Sequence, residues 1–415
     1  MDMTNGEKLK KYFERSFKKK RTEIDGRIYH FLGYGHSNAT AILGNTSWIL
    51  VDTLDTDKRA ARMYEELKHI ADVPVKTIIF THSHPDHRGG SGAFRDTAEE
   101  IIAFSPVGKT LPYYDRIDAF LKQRGIYQHG YGLTDEEAVC QGIGPREGIV
   151  QNDGVYDFLT PTTVYQEESI TREIDGVTLE LTRAPGETDD TILVYLPEEK
   201  VICTGDNYYA CFPNLYAIRG TQYRDIPQWI ASLRKIMAYD AEILLPGHTA
   251  PLMDRETIQR QVSVLADAME ALVFDTLDCM NQGMTADQCA EAVSLRQEYR
   301  DADTLGEYYG TAEWAVRSIY NGYVGWFDGN AVNLMKAPAK TWHAELLNLI
   351  GKEQLTARID ELIGLQEYQL ALQLLELTDD NERMIKALLG RAEQMTSANA
   401  RHYYIASAKA LAETD

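Results

Sequence analysis

No stretch of this chain is long and apolar enough to span a bilayer, which sets aside the integral membrane proteins. Cysteine is scarce: the five, Cys140, Cys203, Cys211, Cys279 and Cys289, are odd in number and show no CxxC spacing. Neither a disulfide framework nor a thiolate metal site is therefore predicted. Positive charge is in deficit, with 42 Lys and Arg against 63 Asp and Glu and a net charge of −21. Nucleic acid and anionic membranes need a basic face, so neither is expected as a partner. The one basic cluster, Lys8 to Arg21, reads as the solvated face of a helix. That stretch also lacks the apolar run and small-residue cleavage site of a secretory signal, which makes the cytoplasm the expected location.

What is present is ordinary globular composition, 44% hydrophobic and 25% charged, on 415 residues, a length that calls for two cores. Between Ile24 and Pro251, β-rich runs at 39–51, 75–80, 101–104, 178–182, 192–196, 201–203 and 243–245 alternate with helical patterns, the mark of an α/β domain. Beyond Pro251 strand signals vanish, and Ile258, Val262, Leu265, Met269 and Leu272 recur at three- and four-residue spacing, as one buried helical stripe does. The first long helix is predicted to stop near Gln282-Gly283, with others over 305–327, 342–363, 368–377 and 381–411. Three segments follow: a basic N-terminal helix (1–21), an α/β catalytic domain (22–255) and an all-helical domain (256–415).

The chemistry is concentrated after the apolar run 75–80, which leads at once into Thr81-His82-Ser83-His84-Pro85-Asp86-His87. Loops at strand ends are where α/β folds place their sites. Alternation sends His82 and His84 the same way, while Pro85 breaks the strand and lets a turn bring Asp86 and His87 to a second point. One short segment can thus serve two neighbouring metal ions.

This HxHxDH segment resembles the metallo-β-lactamase superfamily, whose remaining ligands come from later strand ends. The resemblance implies Glu187, in Pro185-Gly186-Glu187-Thr188 where relatives usually carry a histidine. It also implies Asp206, in the Gly205-Asp206 pair after an apolar strand, as the metal bridge, and His248 in Pro246-Gly247-His248. The full implied set is His82, His84, Asp86, His87, Glu187, Asp206 and His248. Four imidazoles and three carboxylates suit two Zn2+ ions, and Mn2+ or Fe2+ would accept the same donors.

A narrower likeness is carried by Glu187 in place of the histidine and by Asn214-Leu215-Tyr216-Ala217-Ile218-Arg219-Gly220-Thr221 with Arg224-Asp225. Tyr309-Gly310-Thr311 and the run from Arg317 to Asn330 extend it into the helical half. These segments resemble the zinc-dependent (type III) alkylsulfatases and their dimerisation domain. The implied fold is an αββα sandwich followed by an all-helical dimerisation domain, and the implied assembly a homodimer. The implied activity is hydrolysis of a small anionic alkyl sulfate ester by water activated on the metals, with Asp86 and Arg219 in catalytic roles.

Arg219 offers a planar fork of donors that suits two oxygens of a tetrahedral anion; the alternative is an ion pair with Asp225. Asn214, Arg317 and Trp314 are further candidates for substrate contact. Trp314 stands where family members place a histidine shortly after the Gly-Thr pair, and an indole can donate only a neutral N–H. Attack at carbon, which expels sulfate without a proton donor, is then easier than attack at sulfur. The chain also lacks the sterol-carrier-like domain many members append, which points to shorter or more polar substrates. Two rival readings remain: another ester class on the same metals (phosphodiester, lactone or thioester), or a non-catalytic dimeric scaffold.

Overall fold

Twelve strands form among the described residues and sort into two sheets. The computed structural model describes residues 3–108, 111–300 and 302–413. Met1, Asp2, Thr414 and Asp415, assigned by sequence to the outer two segments, lie outside the described residues. The first sheet contains, in spatial order, β1 (Lys20–Ile24), β2 (Ile28–Leu32), β3 (Ala39–Leu43), β4 (Trp48–Val51), β5 (Val75–Ile79), β6 (Glu100–Phe104) and β7 (Thr163–Tyr165). It is antiparallel as far as β4 and parallel from there on. The second contains β8 (Ser169–Ile174), β9 (Val177–Arg183), β10 (Ile192–Leu196), β11 (Val201–Gly205) and β12 (Ile243–Pro246), with only β11 and β12 parallel. The stretch 39–51, which reads as one β-rich run, is a hairpin: Asp175 accepts from the Thr46 amide and the Ser47 hydroxyl at 2.9 and 2.7 Å and fixes its turn.

The sheets pack face to face because each turns an aliphatic surface inward: Ile28, Ile42, Ile49 and Ile79 meet Leu179, Leu181, Val194 and Val201. Helix α1 (Asn5–Ser16) ends before the basic cluster does, so Lys20 and Arg21 belong to β1. Helix α2 (Asp57–Lys68) covers the outer face of the first sheet through Ala60, Met63 and Leu67. Past α3 (Pro85–Arg88), the long connection between β6 and β7 carries α4 (Asp118–His129) and α5 (Asp135–Ala138). Helix α6 (Ile226–Ala238) and α7 (Arg255–Asn281) cover the second sheet, completing helix, sheet, sheet and helix in layers.

The helical half divides in two. Helices α7, α8 (Ala286–Ala292) and α10 (Ala312–Val324), with α9 (Gln297–Arg300) between the last two, share one core with α6 through Trp229, Leu233, Val262, Met269, Cys289 and Val316. The second part begins with α11 (Ala331–Leu334) and α12 (Ala339–Ile350). There α13 (Lys352–Gly364), α14 (Tyr368–Leu375), α15 (Asn381–Glu393) and α16 (Ala398–Ala412) build a separate core around Ile359, Leu372, Leu375 and Leu388. The sequence pattern predicts one helix over 342–363, but Gly351 at φ 84° lies in the left-handed region and divides it. The predicted helix 381–411 divides likewise where the Ser397 hydroxyl accepts from the Ala400 amide at 3.3 Å and caps α16.

Helix α16 also braces the α4–α5 connection. Fully buried His402 places Nδ1 and Nε2 2.9 and 3.0 Å from the carbonyls of Gln128 and Ala138, and Arg401 donates to the Glu137 carbonyl at 3.0 Å. The Gln128 side chain in turn accepts from the Arg219 amide at 2.7 Å.

Candidate metal centre

Strand β5 is buried along its length apart from Lys76, and it hands its last residues to a rigid loop. The Thr81 amide and hydroxyl both donate to the carboxylate of Asp52, at 2.8 and 2.7 Å. His82 and His84 follow, and Pro85 opens the short helix α3, whose single turn presents Asp86 and His87. Glu187 comes from the turn between β9 and β10, Asp206 directly follows β11, and His248 follows β12. Gly247 is required there by close approach: a β-carbon on it would lie 2.4 Å from Asp206 Oδ1 and 2.8 Å from the His87 ring.

These strand ends bring all seven predicted ligand residues together. His87 Nε2 is 3.2 Å from Asp206 Oδ1, and His248 Nε2 is 3.3 and 3.4 Å from Asp86 and Asp206 oxygens. His87 and Asp86 approach to 3.4 Å, His82 and Asp206 to 3.7 Å. Donors about 2.1 Å from a tetrahedral ion stand about 3.4 Å from one another, so these separations fit a metal ion among them. His82, His87 and Asp206 form one ligand group, His84, Glu187 and Asp206 a second, sharing Asp206 as a bridge would; His36, Asp86 and His248 form a third. His82 Nε2 and Asp206 Oδ1 are buried and have no hydrogen-bond partner among the described residues.

The rings are aimed by their outer nitrogens. His87 Nδ1 lies 2.7 Å from Asp52, His248 Nδ1 3.0 Å from the His36 carbonyl and His82 Nδ1 3.0 Å from the Thr81 hydroxyl, which leaves each Nε2 facing the centre. Burial pushes the Asp206 carboxyl up, but His248, His87 and His82 hold it well below the usual range. Burial pushes His248 down, and Asp206 and Asp86 reverse this, lifting it to about 9. Positive charge is thus favoured at this point. Glu187 is held separately, by the Arg224 guanidinium at 2.9 Å and the Tyr209 hydroxyl at 3.1 Å, with all three side chains buried.

A cavity of about 350 Å³ opens on the centre, lined by His84, Asp86, Glu187, Asp206 and His248 and also by Arg219, Arg224, His129, Tyr131 and Tyr309. Arg219 is on its wall and is not paired with Asp225, whose carboxylate accepts from the Gln228 amide at 3.0 Å and caps α6. The other three substrate candidates are placed elsewhere. Asn214 is fully buried off the cavity wall, its carbonyl accepting from Arg224. Arg317 is on the surface, paired with Asp287 of α8 and with Glu313. Trp314 is half-buried on α10 and also absent from the wall. The cause is the buried face of α10: Ala315, Val316 and Ile319 pack into the core with α7.

Sequence pattern alone does not point to several residues the fold brings here. Asp52 could be found, since it follows the apolar run of β4 as Asp206 follows that of β11. His36, His129, Tyr131 and Glu147 carry no such signal. The Tyr131 and Tyr156 hydroxyls both donate to Glu147, whose carboxylate is 4.0 Å from His129 Nδ1. Burial, with Arg219 nearby, lowers His129 to about 3.

Residues 32–248 match the family model described as metallo-beta-lactamase superfamily, and residues 285–414 the one described as alkyl sulfatase dimerisation. The chain is 31% identical over 318 residues to a linear primary-alkylsulfatase of a Pseudomonas species, covering 73% of this chain and 58% of that one. It is 29% identical over 341 residues to an alkyl/aryl-sulfatase of Saccharomyces cerevisiae, covering 79% and 52%. The chain therefore spans little more than half the length of these curated relatives. The solved structure of the stereoselective inverting sec-alkylsulfatase Pisa1 from Pseudomonas superposes with a TM-score of 0.86 at 22% identity, covering 98% of this chain and 67% of that one. The expected fold, sandwich followed by helical dimerisation region, is the one observed.

Proposed function

The chain belongs to the metallo-beta-lactamase superfamily, and from that premise we propose that it is a binuclear metal-dependent hydrolase of alkyl sulfate esters. The observation that carries this reading is the pair of ligand groups sharing Asp206, opening on a cavity that also holds the guanidinium groups of Arg219 and Arg224. The alkylsulfatases among its relatives and the matched dimerisation region favour a sulfate ester over a phosphodiester, lactone or thioester.

His82, His84, Asp86, His87, Glu187, Asp206 and His248 would hold the two ions, zinc being the best match to their mixed nitrogen and oxygen donors. When bound, such ions supply Lewis acidity and bring the pKa of water down to about 7. The chain's own part is positioning. Asp52 aims His87, Asp206 would serve both ions as the residue shared by two ligand groups, and Arg224 and Tyr209 fix Glu187. The guanidinium of Arg219 gives one donor to the Gly220 carbonyl at 3.3 Å and would offer its remaining donors to sulfate oxygens. The protein carries a net charge of −21, so attraction of an anionic ester is local to these groups.

Zinc-loaded protein is expected to release inorganic sulfate from hexyl and dodecyl sulfate. Two bound ions with no sulfate from either ester, but turnover of a phosphodiester, lactone or thioester, would overturn the sulfatase and keep the hydrolase.

The same reading includes a homodimer in the cytoplasm. All five cysteines are free, as suits a reducing compartment, and no helix among the described residues is long and apolar enough to cross a membrane. The dimer contact we assign is the apolar stretch around α11 and α12. Trp326, Met335 and Leu349 are 74%, 91% and 75% exposed there, and α12 buries no residue at all. Sedimentation should show a dimer whose dissociation constant rises about 30-fold or more in Trp326→Glu, as loss of a hot-spot aromatic implies. An unchanged constant moves the contact elsewhere.

A further inference from the structure

His36 belongs to the loop between β2 and β3, far ahead of the His82–His87 segment in the chain, yet its ring is at the metal centre. It is 5% exposed and held by three hydrogen bonds. Its amide donates to Asp55 Oδ1 at 3.2 Å, its carbonyl accepts from His248 Nδ1 at 3.0 Å, and its own Nδ1 lies 2.8 Å from the Pro145 carbonyl. The loop at Gly144 packs closely against it: a β-carbon on Gly144 would lie 2.0 Å from the His36 carbonyl oxygen and 2.9 Å from its Nδ1.

A carbonyl oxygen only accepts, so Nδ1 carries a proton and donates it, and Nε2 is the atom turned to Asp86. This is the arrangement already seen at His82, His87 and His248, outer nitrogen on an acceptor and inner nitrogen facing the centre. Nε2 stands 3.9 Å from Asp86 Oδ2, too far for a hydrogen bond. Both atoms belong to a group with His248 whose ligand atoms all lie within 4.8 Å of one another. A cation about 2.1 Å from each of two donors spans the 3.9 Å between His36 Nε2 and Asp86 Oδ2 at an angle wider than tetrahedral.

We propose that His36 is an additional metal ligand, closing the Asp86–His248 side of the centre. The assignment rests on the metal reading given above and adds an imidazole outside the seven residues named there.

The test is metal affinity, read by competition with a chromophoric chelator on the full chain. In His36→Ala the weaker of the two binding steps is expected to lose about 10- to 100-fold, while His36→Gln, which keeps volume and an oxygen donor, loses less. In cobalt-loaded wild type, the His36 ring N–H, protected by its bond to Pro145, should appear among the hyperfine-shifted exchangeable protons. That readout needs no variant to fold. Wild type with two ions, a His36→Ala protein of equal affinity and no shifted His36 proton would overturn the ligand and leave the hydrolase standing. Wild type that takes up no metal would overturn both.

Discussion

His84→Ala should lower kcat/KM for alkyl sulfates by about a thousandfold or more while leaving the far-ultraviolet circular dichroism of the protein unchanged. His84 shares a ligand group with Glu187 and Asp206, and its ring is only partly buried. Its loss therefore removes a donor without opening a hole in a core. Metal assistance contributes several kcal/mol to a barrier, and about 1.4 kcal/mol is tenfold in rate, which sets the size of the loss. Chelation of the wild type should give the same loss, reversed by added zinc. A His84→Ala protein within tenfold of wild type would mean that the His84, Glu187 and Asp206 group does not serve the reaction.

Arg224→Met should produce the largest change in stability, about 3–5 kcal/mol in the metal-free protein. Arg224 is 6% exposed and its guanidinium, 2.9 Å from Glu187, is the one cation paired with that buried carboxylate among the described residues. Burial would lower the arginine, and Glu187 outweighs this and raises it. Removing the cation leaves a buried negative charge without compensation, which is why breaking such a pair destabilises more than the pair itself contributes. Two measurements separate this account from a simple packing loss. Glu187→Gln added to Arg224→Met should recover much of the stability in a double-mutant cycle. Saturating zinc should shrink the deficit, because an ion beside Glu187 replaces the missing charge. A deficit unaffected by either would assign the loss to packing.

The clustering of the seven proposed ligand residues is legible through the family resemblance: the HxHxDH segment after β5 carries it, and the resemblance then singles out Glu187 in its Pro-Gly turn, Asp206 after β11 and His248 after β12. The sandwich follows from the same resemblance. The strands β1 and β8 escape notice because they carry polar residues among the apolar ones, as in the alternating burial of β8. Long helices are over-joined where one residue, Gly351, ends a pattern that continues beyond it. The cavity wall is the least legible part. His129, Tyr131 and Glu147 come from the connection between β6 and β7, whose path depends on packing against a helix at the other end of the chain. Asn214 illustrates the converse, since it neighbours the wall in sequence yet is fully buried behind it.

That packing has a thermodynamic consequence. His402 grips the Gln128 carbonyl, and the Gln128 side chain grips the amide of Arg219, so two contacts connect α16 to the proposed anion anchor. Free energy carried along such a relay is shared in both directions and in equal measure. If this relay couples the two, tightening α16 against α4 would tighten the hold on an anion at Arg219, and an anion there would shift the fraying equilibrium of α16 by the same factor. The helical half would then report cavity occupancy as well as support the wall.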